Sequence, residues 1–104
     1  MKLLTEKIKK ALPALGTTVG REFWGGGEQC FVCKFFDPCG AWTWYVLEGE
    51  ETEEGDWRFY GLVDGCEKEW GYFMLSELES VKGPLGLGIE RDIHFENEET
   101  AKYA

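Results

Sequence analysis

Apolar positions at helical spacing run through the N-terminal segment: Leu4, Ile8, Ala11, Leu12 and Leu15. This spacing predicts a short amphipathic helix over residues 4–15. Thr5 stands where a helix N-cap is expected, and Gly16 stands where the helix would stop. Pro13 falls in the last predicted turn, where a proline ends or bends a helix.

Two segments rich in aromatic and β-branched residues follow, at 29–36 and 41–48. Between them, Asp37-Pro38-Cys39-Gly40 fits a type I turn, so the pattern predicts a β-hairpin. With Asp37 opposite Gly40, one face of the hairpin would carry Phe31, Cys33, Phe35, Trp42, Trp44 and Val46. Lys34 and Thr43 would then share the other face.

Further along the chain, alternating patterns predict strands at 57–63 and 70–75, separated by an Asp64-Gly65 turn. The stretch 49–55 contains four glutamates and is predicted to be a solvated loop that enters no core.

The C-terminal part predicts a short helix and a last strand. Ser76-Glu77-Leu78-Glu79 matches a capping box, in which Ser76 would cap a helix near residues 77–82. Ile93 and Phe95 alternate with polar residues, so 89–95 is predicted to be a final edge strand. The expected fold is a single α+β domain over 1–104, an antiparallel meander sheet of about four to five strands with these two helices.

Charge narrows the possible partners. The chain has 11 basic and 20 acidic residues and a formal charge of −9, which disfavours direct nucleic-acid binding. An acidic surface either keeps the protein soluble or docks on a basic surface of another protein. The candidate protein-binding residues lie in the 50–56 loop and in the C-terminal tail: Glu50, Glu51, Glu53, Glu54, Asp56, Glu96, Glu98 and Glu99.

The four cysteines, Cys30, Cys33, Cys39 and Cys66, begin with a C-x2-C pair that suggests zinc. However, residues three apart on a strand lie about 10 Å apart and point to opposite faces, so we expect ordinary thiols and no metal. The N-terminus has no apolar run of signal-peptide or membrane-span length. A cytoplasmic location, where thiols stay reduced, is therefore expected.

Little in the sequence indicates catalysis. His94 is the one histidine, and nothing in the sequence places it beside a thiol. Two stretches are rich in glycine, Gly25-Gly26-Gly27 and residues 83–88, and neither has the spacing of a phosphate-binding loop. We therefore expect a protein without enzyme activity or cofactor. Trp42 and Trp44 are expected to lie in the core, with a ligand-stacking sheet face as the alternative.

Four segments carry a family resemblance: MKLLTEKIKKALPAL, VCKFFDPCGAWTWYVLEGE, GDWRFYGLVDG and GYFMLSELESVKGPLGLGIERDIHF. Together they resemble the bacterial family called domain of unknown function 2958. The resemblance implies a protein carried on plasmids, phages and integrative elements, often beside anti-restriction domains. It supplies no catalytic residues, and the cysteines of the first hairpin depart from the aliphatic residues that it leads us to expect.

Charge and resemblance together lead us to expect a non-catalytic accessory or anti-defence protein of a mobile element. It would bind a host protein, such as a restriction or CRISPR nuclease, through its acidic surface. Two alternatives stay open: a small-ligand or carbohydrate-binding module that uses sheet aromatics, and a zinc-stabilised interaction module. The oligomeric state is left open by the sequence.

Overall fold

The computed structural model describes residues 3–16, 31–83 and 86–93. In chain order the described elements are helix α1 (Glu6–Ala11), strands β1 (Cys33–Phe36), β2 (Thr43–Glu51), β3 (Trp57–Asp64) and β4 (Lys68–Met74), helix α2 (Leu75–Ser80) and strand β5 (Glu90–Arg91). This arrangement confirms the predicted α+β fold. Neither described helix has the length and apolar character needed to cross a lipid bilayer.

Helix α1 begins where the sequence predicts and ends early. The Thr5 hydroxyl accepts a hydrogen bond from the Ile8 amide at 3.2 Å, as an N-cap should. The helix ends at Ala11, and Leu12 is extended with ψ 122°. The cause is Pro13, because the residue before a proline is displaced from helical geometry.

The five strands form one antiparallel sheet in the order β4-β3-β2-β1-β5. Strands β1 to β4 are a meander, and β5 returns to pair with the outer edge of β1. The last strand is therefore an edge strand, as predicted, although it covers Glu90–Arg91 only. His94 and Phe95 lie outside the described residues.

The β1–β2 hairpin has the predicted faces but a shifted register. Asp37 lies opposite Trp42, whose carbonyl accepts its amide, and not opposite Gly40. The predicted turn is still present, since the Gly40 amide donates to the Asp37 carbonyl at 3.2 Å. The shift is two residues, so every β1 and β2 side chain keeps its face.

Phe31 is the exception to the predicted faces. It precedes β1, and its ring contacts Tyr45 and Trp70, with centroid distances of 5.3 Å and 5.8 Å. Both residues lie on the sheet face opposite Cys33 and Phe35. The expectation that Phe31 shares the face of Cys33 is therefore wrong, because strand alternation does not reach it.

Strand β2 contains a β-bulge that reverses its alternation. Val46 pairs with Gly61 and Glu48 pairs with Tyr60, so Leu47 is the extra residue. Before the bulge, Trp44 and Val46 face the core. After it, Gly49 faces the core, paired with Phe59.

The bulge corrects the prediction that 49–55 is a loop. Gly49, Glu50 and Glu51 belong to β2, and Gly49 is buried. A side chain at Gly49 would lie 2.8 Å from the Phe59 ring and 3.1 Å from Leu12. Because Gly49 has no side chain, Phe59 and Leu12 can both pack against β2 at this position.

The core lies between one face of the sheet and the helices. Its buried members are Leu3, Leu4, Ile8, Val32, Cys33, Phe35, Val46, Phe59, Phe73, Leu78 and Ile89. Phe59 is central, because its ring contacts both Phe35 and Phe73 at centroid distances below 6 Å. Trp44 packs against this core as expected, whereas Trp42 is 44% exposed.

Helix α2 starts two residues before the predicted 77–82 range, and Ser76 is not its cap. The N-cap residue is Met74, and the Glu77 carboxylate accepts the Met74 amide at 2.9 Å. The Glu77 half of a capping box is therefore present, two residues earlier than predicted. Ser76 instead donates hydrogen bonds from its amide and its hydroxyl to the carboxylate of Asp56, the residue just before β3.

Two cross-strand glycines should respond differently to a methyl group. A Cβ on Gly61 would overlap the Tyr45 carbonyl, whereas nothing lies within 4 Å of one on Gly71. We expect Gly61→Ala to reduce the free energy of unfolding by about 3 kcal/mol or more. We expect Gly71→Ala to change it by less than about 1 kcal/mol. Urea unfolding measures both, and equal effects would contradict the bulge geometry.

Candidate functional site

The turn between β2 and β3 is tightly hydrogen-bonded. The Thr52 amide donates to the Asp56 carbonyl at 2.7 Å, and the Asp56 amide donates to the Thr52 hydroxyl at 3.1 Å. Gly55 adopts φ +85°, the left-handed conformation that glycine allows without strain, and its amide donates to the Thr52 carbonyl. The backbone of residues 52–56 is therefore ordered, although its glutamates are exposed.

Asp56 joins this turn to α2. Its carboxylate accepts the Ser76 hydroxyl at 2.5 Å, the Ser76 amide at 3.1 Å and the Trp57 amide at 2.8 Å. The Ser76 hydroxyl is the largest cause that lowers the pKa of Asp56 below its ordinary 3.8, followed by the Trp57 amide. Asp56 is therefore a structural group within the molecule, and its acceptor oxygens already have donors.

The contact between Asp56 and Ser76 brings further acids to the same place. We name the exposed glutamates of the turn and of α2 the acidic end; they are Glu50, Glu51, Glu53, Glu54, Glu77 and Glu79. Glu77 and Glu79 were not among the predicted site residues. The sequence did not indicate these two residues, because α2 is distant from the turn along the chain. Only the tertiary contact places α2 beside the turn.

The glutamates of the acidic end differ in whether their carboxylates already accept hydrogen bonds within the protein. Glu50 accepts the Leu15 amide at 3.1 Å, so one of its oxygens is engaged. Arg58 lies opposite Glu50 in the β2–β3 ladder. Among the predicted residues of the turn, Glu53 and Glu54 stand furthest from the strands. Glu96, Glu98 and Glu99 lie outside the described residues.

Glu48 is an acid that the sequence analysis did not single out. It is only 2% exposed, and its carboxylate accepts the Gly16 amide at 2.9 Å. The Pro13 carbonyl accepts the Gly49 amide at 3.0 Å beside it. These contacts attach the segment after α1 to β2, so Glu48 serves the fold.

The face of the sheet opposite the core carries a row of rings. We name this group the aromatic row; it consists of Phe31, Tyr45, Tyr60, Trp70 and Tyr72. Tyr60 lies 6.0 Å from Trp70 and 5.0 Å from Tyr72, centroid to centroid. Tyr72 is 64% exposed. Alternation within RFYGLV and EWGYFM could have indicated the row, since both faces of these strands are apolar.

A cation stands at each end of the aromatic row. Lys34 lies over the Tyr45 ring at 5.6 Å, and Arg58 lies over the Tyr72 ring at 5.6 Å. Lys34 also pairs with Asp92 at 3.7 Å. The aromatic row therefore has Lys34 and Arg58 at its ends, and Asp92 pairs with the first of these cations.

Two concavities lie elsewhere on the surface. A hollow of about 210 Å³ is lined by Trp42, Val63, Cys66, Glu67 and Glu69. Trp44 is not among its lining residues, so the two tryptophans do not form one platform there. A groove of about 420 Å³ is lined by Leu3, by α2 and by residues 86–90.

The described cysteines are spread over the fold. Cys33 is buried in the core, whereas Cys39 and Cys66 are exposed in separate turns. Within the described ranges, no three His, Cys, Asp or Glu side chains come together as a metal site. Cys30 and His94 lie outside those ranges.

The profile of one protein family, described as protein of unknown function (DUF2958), matches residues 3–104. The chain therefore belongs to that family, as the resemblance in its segments indicated. A comparison with curated proteins and a comparison with solved structures each find no match.

The pKa of Asp56 predicts how stability depends on pH. Because folding lowers this pKa below 3.8, the carboxylate contributes stability above that pH and loses it as pH falls through the folded value. We expect Asp56→Asn to lower the urea midpoint near neutral pH. The gap to the parent protein should narrow in acid.

Glu54→Gln is the matched control, because it removes an exposed carboxylate from the same turn. It should leave the pH profile of unfolding unchanged. A gap between the parent and Asp56→Asn that is constant from neutral pH into acid would contradict the assigned role of Asp56.

Proposed function

We propose that this member of the DUF2958 family is a non-catalytic binding protein that acts through its acidic end. Its partner is a host protein with a basic surface, of the restriction or CRISPR nuclease type. In this proposal the chain is an accessory or anti-defence protein of a mobile genetic element. The observation that carries the proposal is the ordered turn at 52–56, which holds exposed glutamates beside those of α2.

Order in the turn supports recognition by lowering its cost. A flexible acidic loop loses conformational entropy when it binds, whereas a preformed loop loses little backbone freedom. The hydrogen bonds of Thr52, Gly55 and Asp56 already fix this backbone. The free oxygens of Glu53 and Glu54 can then accept charge-assisted hydrogen bonds from lysine or arginine.

The mechanism would be competitive. Lysines and arginines that hold DNA phosphates also accept carboxylates, so an acidic end seated in a nucleic-acid groove would exclude the nucleic acid. The net charge of −9 would speed the encounter with such a groove. Both effects weaken as salt screens the charges.

Two double variants test this proposal. Glu53→Gln with Glu54→Gln removes two charges from the acidic end. Glu67→Gln with Glu69→Gln removes two exposed charges from the β3–β4 end, which is the opposite end of the sheet. We expect the first pair to weaken partner binding about threefold to tenfold and the second pair to leave it unchanged.

The measurement is affinity capture from a bacterial lysate, followed by titration of the retained protein at low and high salt. Binding should fall steeply with salt. Equal loss in both double variants, or retention that does not depend on salt, would reject the acidic end as the binding surface.

A second candidate function rests on the aromatic row. Flat rings with polar edges stack on the apolar faces of sugars, and the exposure of Tyr72 leaves that ring accessible. The rings themselves are uncharged, so a neutral glycan or small ring-shaped ligand suits the row. In this function the acidic end would serve solubility only.

Tyr72→Ala should weaken binding of a neutral oligosaccharide about fivefold, since the stacking of one ring contributes about 1 kcal/mol. Titration of tryptophan fluorescence with a glycan panel measures this, because Trp70 lies within the row. Trp57→Phe is the control, as Trp57 packs against the core and not in the row. No fluorescence change with any glycan would reject this function.

A further inference from the structure

The outer edge of β4 is an open strand edge. β4 is the last strand on its side of the sheet and extends over seven residues, Lys68–Met74. None of the described residues pairs with its outer edge. Backbone amides and carbonyls along such an edge can form a ladder with another extended chain.

Features that usually protect an edge strand are nearly missing from β4. Its pairing with β3 is regular over all seven residues, with no bulge, and it contains no proline. Its two charged residues, Lys68 and Glu69, lie together at one end. The middle holds Trp70, Gly71 and Tyr72, which present apolar surface beside the open edge.

We propose that β4 pairs with β4 of a second copy of this chain, antiparallel about a twofold axis at Gly71. This axis allows the longest overlap, since all seven residues then find partners. Trp70 of each copy would face Tyr72 of the other, on the face of the aromatic row. The row would thereby continue across the axis, and cross-strand aromatic pairs of this kind are stabilising.

Charge favours the antiparallel arrangement. It places the acidic ends of the two copies at opposite ends of the joined sheet, so their repulsion is small. Lys68 would lie opposite Met74 of the second copy, where α2 begins with Glu77 in its first turn. A cation thus meets the acidic first turn of a helix.

The size of the contact sets the strength of the dimer. Two seven-residue edges bury less surface than the roughly 1,200 Å² of a stable specific interface. The dimer should therefore form reversibly and with rising concentration. This pairing is independent of what the acidic end binds.

A disulfide reports the axis directly. Residues opposite each other in an antiparallel pair have Cα atoms about 4.5–5.5 Å apart, within the range of a disulfide. We expect Gly71→Cys, in a background with Cys30, Cys39 and Cys66 changed to serine, to give a dimer on mild oxidation that thiols reverse. Buried Cys33 can stay.

Glu69→Cys in the same background is the matched control. Residue 69 is exposed, but the proposed axis would place its two copies more than about 10 Å apart, beyond disulfide reach. It should stay monomeric. Equal dimer from both variants, or dimer from Glu69→Cys alone, would overturn the axis at Gly71.

Mass in solution gives an independent test without new cysteines. Light scattering of the parent chain from about 10 μM to about 1 mM should rise from 11.9 kDa toward twice that mass. Gly71→Lys, which meets open space in the monomer, should stay at 11.9 kDa because two lysines would oppose each other on the axis. Gly71→Ala should behave as the parent. A parent that remains monomeric, or a dimer that tolerates Gly71→Lys, would overturn the proposal.

Discussion

The bulge at Leu47 is the constraint on which the rest of this structure depends. Without the extra residue, Glu48 and Glu50 would follow Trp44 and Val46 onto the core face. Burying two carboxylates there, without partners, would be strongly destabilising. The bulge turns both acids to the other face and brings Gly49 beneath Phe59. The core then stays apolar along the full length of β2.

The bulge restricts which residue can lie opposite it on β3. The Tyr45 carbonyl approaches β3 so closely that only a residue without Cβ fits opposite, and Gly61 supplies it. On the face opposite the core, the Glu48 carboxylate accepts the Gly16 amide and the Glu50 carboxylate accepts the Leu15 amide. The same device therefore ties the segment after α1 to the sheet.

The two ends and two faces of the sheet have separate roles in the proposed functions. The β2–β3 end presents carboxylates on a backbone that Asp56 anchors to Ser76. The face opposite the core presents rings, and the β4 edge presents unpaired backbone. In these proposals the acidic end binds one partner and the β4 edge binds a second copy, and the two surfaces meet near Glu77. The described cysteines, Cys33, Cys39 and Cys66, do not come together on any of these surfaces.

Local sequence determined most of the elements. Periodicity located α1 and four strands to within a few residues, and Thr5 and the Asp37–Gly40 turn behaved as their chemistry requires. These features depend on residues close together in the chain. Family membership also followed from the sequence, because it depends on the order of segments.

Only the tertiary structure decided the bulge, the shift of α2 and the composition of the acidic end. A bulge depends on which strand lies opposite, and a period-two pattern cannot show where its parity reverses. Ser76 looked like a cap because its distant partner, Asp56, is invisible in local sequence. Phe31 precedes β1, and its place in the aromatic row follows from contacts with Tyr45 and Trp70, which are distant in the chain. In each case the deciding energy comes from residues far apart in the chain.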